Sequence, residues 1–134
     1  MQALPLRLAP QQDLRAALES TLAGRSASAA FVLQAIGSLS VARIRFAGMP
    51  HSQELRGNLE ILTLAGTLSP DGAHLHISLS DAQGHVTGGH VDYGCVIRTT
   101  AEILVALLPE HIFSRTLDPA SGYRELSIRT HDKR

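Results

Sequence analysis

Two histidines one residue apart, His74 and His76, and a third, His90, behind the double glycine Gly88-Gly89, are the residues of this chain best suited to chemistry. Ala73 to Ser80 alternates: Ala73, Leu75, Ile77 and Leu79 are apolar, while His74, His76, Ser78 and Ser80 are polar. This is the period-two pattern of a half-buried strand, so both imidazoles leave on one face, roughly 6.5–7 Å apart along the chain. A divalent ion that takes imidazole nitrogen at about 2.0–2.1 Å suits such a pair.

Whether His90 joins them depends on register. If Asp81-Ala82-Gln83-Gly84 closes a hairpin with Ser80 facing His85, continuing the ladder pairs His76 with Gly89 and Leu75 with His90, which puts His90 on the wrong face. A shift of one residue reverses faces. A bulge at Gly88-Gly89 supplies that shift, because glycine tolerates bulge backbone angles. With such a bulge His74, His76 and His90 share one face as candidate ligands of a divalent ion; the alternative for a His-x-His strand is a plain solvent-facing polar face. Three histidines leave a fourth position open, the pattern of an exchangeable or catalytic site. Asp92 and Cys95 are further candidate ligands, although a lone cysteine more often packs as a small buried thiol. His51, His85 and His111 read as loop or surface residues.

The positioning elements follow from periodicity. Leu4 to Leu8 reads as a short strand. Leu14, Leu18 and Leu22 recur every four residues as one amphipathic helix, with Pro10 where it begins and Gly24 at its end. Ala29–Ile36 is apolar on both faces, as a covered strand would be. Gly37-Ser38 reads as a turn before an alternating strand, Ser40–Phe46, which carries Arg43 and Arg45 on one face. Gly48–Gln53 reads as a loop. Leu59–Leu68 is a long strand with Gly66 as a bulge, and Ser69–Gly72 is a turn. Val96–Leu108 fits either a helical stripe or, through its β-branched residues, a strand. Ile112–Leu117 and Tyr123–Ile128 flank the turn Asp118–Gly122, and His131 to Arg134 reads as a frayed tail. These elements describe one compact α+β domain over residues 1–134, with a mainly antiparallel sheet and one main helix.

Composition narrows the partners. The 134 residues suit one domain; 44% are hydrophobic and 18% charged, which excludes wholesale disorder. Twelve Lys and Arg balance twelve Asp and Glu, so no net basic footprint for nucleic acid is present. With Cys95 the only cysteine, no internal disulfide can form. The first residues lack a signal-peptide pattern, and no apolar run approaches the roughly 20 residues of a membrane span. A cytoplasmic protein with no membrane partner is expected.

Several stretches together resemble a known family: Ala35-Ile36-Gly37-Ser38-Leu39; Gly57 to Gly66; His74 to Asp81; Gly84-His85-Val86-Thr87-Gly88-Gly89-His90-Val91 and Gly94; Thr100-Ala101-Glu102-Ile103; and Phe113-Ser114-Arg115 with Asp118, Gly122 and Glu125-Leu126. The combination is similar to the plant-and-prokaryote-conserved (PPC) domain, the domain that accompanies AT-hooks in plants and stands alone in prokaryotes. The resemblance implies an antiparallel α+β fold in a homotrimer and makes Val96–Leu108 a strand. It implies a metal, usually zinc, on His74, His76 and His90, and it implies the DNA-binding description that family members carry. The AT-hook core Arg-Gly-Arg-Pro, which enters a narrow minor groove, has no counterpart beyond Arg56-Gly57-Asn58, and Asn58-Leu59 replaces the Arg-Phe of the plant motif.

The expected function is a stand-alone, homotrimeric metal-binding regulatory or interaction module of the kind described as DNA-binding, with its small-molecule ligand unidentified and DNA a weaker candidate. The alternative is a zinc hydrolase whose open three-histidine centre lowers the pKa of bound water. Glu60 and Glu102, each inside a mostly apolar strand run, are then the candidate acid or base; a structural role pairs each with an arginine such as Arg98 or Arg115. The catalytic residues themselves are unknown.

Overall fold

A computed structural model describes residues 1–132; the last two positions of the tail expected from His131 onward lie outside it. The chain runs β1 (Gln2–Leu8), α1 (Leu14–Glu19), a 3-10 turn (Ser20–Leu22), β2 (Ala30–Arg45), β3 (Gln53–Ser69), β4 (Gly72–Ser80), β5 (Val86–Val91), β6 (Val96–Leu107), β7 (His111–Leu117) and β8 (Arg124–Thr130). Six strands form one antiparallel sheet in the order β1-β6-β2-β3-β4-β5, and β7 and β8 form a separate hairpin. Mostly antiparallel sheet with one short helix is the architecture, as expected.

The sheet closes on itself. β6 runs along one edge of β2 as far as Val41, and β5 then takes over that edge by pairing Val91 with Ile44 and His90 with Arg45. The ring β2-β3-β4-β5 encloses a core that includes Leu39, Ile44, Leu64, Leu75, Leu79 and Ile97, all 2% exposed or less. Period-two alternation accounts for this directly: along β4, Leu75, Ile77 and Leu79 point inward and are buried, while His74 and His76 point outward. Leu14 and Leu18 of α1 are fully buried in the same core.

The helix is shorter than its leucine spacing suggests. Asp13 caps it, with one carboxylate oxygen accepting from the Ala16 N–H at 2.9 Å and the other from the Gly94 N–H at 2.6 Å. Pro10 lies in the preceding turn. At the other end the Ser20 and Thr21 hydroxyls donate to the carbonyls of Ala17 and Leu18, the local bonding that makes these residues poor helix continuers. The chain tightens to 3-10 there and still delivers Leu22 to the core. Asp13→Ala should cost about 1–2 kcal/mol in denaturant unfolding, since it removes the cap and also strips a partner from Gly94.

Three expectations are corrected. Gly37-Ser38 is no turn: β2 passes straight through it, with Gly37 beside the backbone of Thr100 and Ala101, so this glycine serves a close approach of β6. Gly66 pairs regularly with Leu75, and the irregularity in that ladder falls between Ile61 and Thr63. The strand expected from Leu59 starts earlier, as β3 begins at Gln53, the last residue of the expected loop.

Candidate metal centre

His74 and His76 stand two positions apart on the outer face of β4, and His90 of β5 pairs directly with His76. The ring centroids are 5.0 Å apart for His74–His76, 4.6 Å for His76–His90 and 5.6 Å for His74–His90. One nitrogen of each ring lies within 4.8 Å of the others.

The predicted convergence holds, but its predicted cause does not. The β4–β5 ladder is regular from Ser80–Val86 to His76–His90, with no bulge at Gly88-Gly89. The extra residue is in the turn. The Asp81 N–H donates to the His85 carbonyl at 3.0 Å, the Gly84 N–H donates to the Asp81 carbonyl at 3.0 Å, and Gly84 has φ +80°. That is a three-residue loop with a left-handed glycine last. The Asp81 carboxylate accepts the N–H groups of Gln83 and His85, each at 2.9 Å, and the bond from His85 leads the causes that hold its pKa below the ordinary carboxylate value. Ser80 therefore faces Val86 instead of His85, and every later pair moves by one.

The double glycine has a different task. A Cβ on Gly88 would stand 2.7 Å from the Ile77 carbonyl oxygen, and one on Gly89 would stand 2.6 Å from the Ile44 Cγ2 and 2.7 Å from the Arg45 carbonyl oxygen. Glycine lets β5 approach β4 on one side and β2 on the other, which closes the ring and holds His90 beside His76.

The three rings suit a metal by their chemistry. Among the described residues none of them hydrogen-bonds to another protein group, so their lone pairs are free. Burial, followed by the nearby Arg115, pushes the His74 pKa below the usual histidine value. Burial, followed by Arg45, does the same to His90. Both shifts favour neutral imidazole, the form that binds metal. A tetrahedral zinc would set the nitrogens about 3.3 Å apart, within reach of modest side-chain rotation from the observed spacing.

The other candidates lie elsewhere. Cys95 is fully buried, its Sγ accepts the Arg43 N–H at 3.3 Å, and burial pushes its pKa up to about 11. Asp92 accepts the Ser52 hydroxyl at 2.6 Å and lines a hollow of about 280 Å³ with His74 and His90, outside the converging ligand set. His85 sits at the β4–β5 turn, 3.5 Å from Asp81. Glu60 pairs with Ser80, at the far end of β4 from His76, and Glu102 lies on β6 opposite Arg7. Neither approaches the histidines, and neither forms an ion pair with Arg98 or Arg115 among the described residues. Arg115 donates instead to Thr67 Oγ1 at 2.7 Å.

The structure adds residues that spacing could not reveal. A groove of about 830 Å³ opens beside the rings, lined by Arg45, His74, His90, Arg115, Arg124 and Glu125 among others. Arg45 had only its strand face as a signal; Arg115, Arg124 and Glu125 arrive from β7 and β8, far along the chain. Among the described residues, no helix is long and apolar enough to cross a membrane.

Comparisons with known proteins agree with this architecture. The chain is 52% identical over 124 residues to the bifunctional protein GlmU of a Synechococcus strain, a match that takes 92% of this chain and 20% of that protein. It thus spans about a fifth of the length of the curated relatives it matches. A hypothetical protein from Salmonella cholerae-suis (Salmonella enterica) is similar in structure at TM-score 0.93 and 37% identity, covering 96% of this chain and 94% of that one. The metal-containing protein AF0104 from Archaeoglobus fulgidus matches at TM-score 0.79 and 28% identity over 93% of this chain and 92% of its own. A Bacteroides thetaiotaomicron protein, provisionally described as DNA-binding, shares the fold at TM-score 0.81 and 19% identity over 93% of this chain and 91% of its own. The family model of the plants and prokaryotes conserved (PCC) domain matches residues 1–109, and on that match the chain belongs to the PCC domain family.

Proposed function

We propose that this chain is a homotrimeric metal-binding module that holds one zinc, or a similar divalent ion, on His74, His76 and His90, and that it serves in regulation or interaction. The observation that carries the reading is the convergence of three imidazole nitrogens within 4.8 Å on one face of the sheet. The metal-containing Archaeoglobus neighbour supports it. A three-imidazole set leaves a coordination position for a ligand from outside the chain.

An outer apolar face supports self-association. Leu33 and Ile36 of β2 are 51% and 53% exposed, and Leu62 of β3 and Leu104 of β6 are 42% and 41% exposed. Gln34 pairs with Leu104, and Gly37 pairs with Ile61, so these side chains form neighbours across three adjacent strands. Exposed apolar side chains gathered in this way mark an interface, and a closed cyclic assembly buries the same patch on every copy. Charge argues for a small ligand over duplex DNA: the chain is formally neutral, and the arginines near the site line a concavity.

Elemental analysis of protein purified without a histidine tag tests the metal. Wild type should carry close to one divalent ion per chain, and His76→Ala about tenfold less; equal content in both removes the reading. Sedimentation equilibrium tests the assembly. Wild type should sediment as a trimer and Ile36→Asp as a monomer, and an unassociated wild type overturns that half of the reading.

A further inference from the structure

We propose that the groove beside the three histidines is a binding site for a small organic anion, whose carboxylate or phosphate group is held by Arg45 and Arg115. Three observations lead there. At about 830 Å³ the concavity has the size of a small-molecule site. It collects guanidinium groups from three separate elements, Arg45 from the end of β2, Arg115 from β7 and Arg124 from β8. Among the described residues, none of these three forms an ion pair with a carboxylate, whereas Arg15, Arg43 and Arg56 each do.

The guanidiniums are nevertheless held in place. Arg45 donates to the Met49 carbonyl at 3.3 Å, Arg115 to Thr67 Oγ1 at 2.7 Å and Arg124 to the Arg115 carbonyl at 3.0 Å. A guanidinium has five N–H donors, so each keeps donors free for an oxyanion. The two carboxylates in the groove are already engaged: Asp71 accepts the Arg115 backbone N–H at 2.8 Å, and Glu125 accepts the Ser121 hydroxyl at 3.0 Å. With neutral imidazoles the groove carries three positive side chains against two negative ones, and a divalent ion on the histidines would raise that excess. Arg115 flanks His74 and Arg45 flanks His90, so an anion seated between them has its other end against the imidazoles. The arginine site stands by itself; contact between the ligand and a metal rests on the metal-binding reading above.

NMR titration of the arginine Nε–H signals tests the site, with inorganic phosphate and malonate as probes, on zinc-loaded protein and on protein stripped with EDTA. Arg45 and Arg115 should shift and saturate with at least one probe, while exposed Arg98 stays still. Arg45→Gln and Arg115→Gln, kept only if their thermal midpoints stay near wild type, should each weaken binding about tenfold at unchanged metal content. The tighter probe tells which oxyanion the groove prefers, and either preference supports the site. Arginines that ignore both probes, or two variants that bind like wild type, overturn it. Saturation of the same signals by a short duplex at lower concentration, with steep salt dependence, overturns the small-ligand assignment. The two readings fail separately: anion binding without any metal content removes the metal centre alone, and metal content with silent arginines removes the groove alone.

Discussion

Gly89→Ala should destabilise the fold by about 1–3 kcal/mol, toward the upper end of that range, as judged by denaturant unfolding. The added methyl would meet the Ile44 side chain at 2.6 Å and the Arg45 carbonyl at 2.7 Å. Both belong to the segment of β2 that pairs with β5, so the collision opposes ring closure itself. Backbone has little freedom to yield within a packed ladder, and the strand must move outward. For a domain whose total stability is of order 5–15 kcal/mol, that is a large fraction. The displacement also pulls His90 away from His76, so zinc content should fall in the same variant. An unfolding midpoint equal to wild type would show that β5 has slack that the structure does not display.

Zinc should raise the thermal midpoint of wild type strongly and leave His90→Ala unmoved. A ligand bound only by the native state stabilises it by about 4 kcal/mol at a thousandfold excess over Kd, which amounts to roughly ten degrees for a domain of this size. Calorimetry with and without EDTA measures it. The shift should survive at pH 6.5, the usual midpoint of an exposed histidine, because His74 and His90 both titrate lower. It should shrink at more acid pH as protons displace the ion. In the metal-free protein the sign is the same: two rings held neutral by the fold bind fewer protons than in the unfolded chain. Their contribution to stability is therefore present above about 6.5 and is lost as pH falls through the native values. An equal zinc shift in His90→Ala would exclude that ring as a ligand.

Local patterning carried much of this protein. The alternation from Ala73 to Ser80 placed His74 and His76 on one outward face, and the leucines at 14, 18 and 22 placed a buried helical segment. Such patterns are readable because solvent acts on each side chain according to its own face. The β-branched stretch from Val96 was ambiguous by itself, since periodicity does not separate a buried strand from a buried helix, and the family resemblance made it the strand that β6 is.

Turns and closures were harder. Register depends on whether a hairpin loop holds one residue more or less, and that single residue decides which face every later side chain takes. The sequence required an offset to bring His90 over; folding placed it at Gly84 and used Gly88-Gly89 for close strand approach. Nor could spacing bring Arg45 to one groove with Arg115 and Arg124, because the latter two, carried by the β7–β8 hairpin, lie 70 or more residues further along the chain. Side-chain types and their alternation, which are local properties, determined what chemistry this protein carries. Strand order and ring closure, which depend on contacts between distant segments, decided which of those side chains meet.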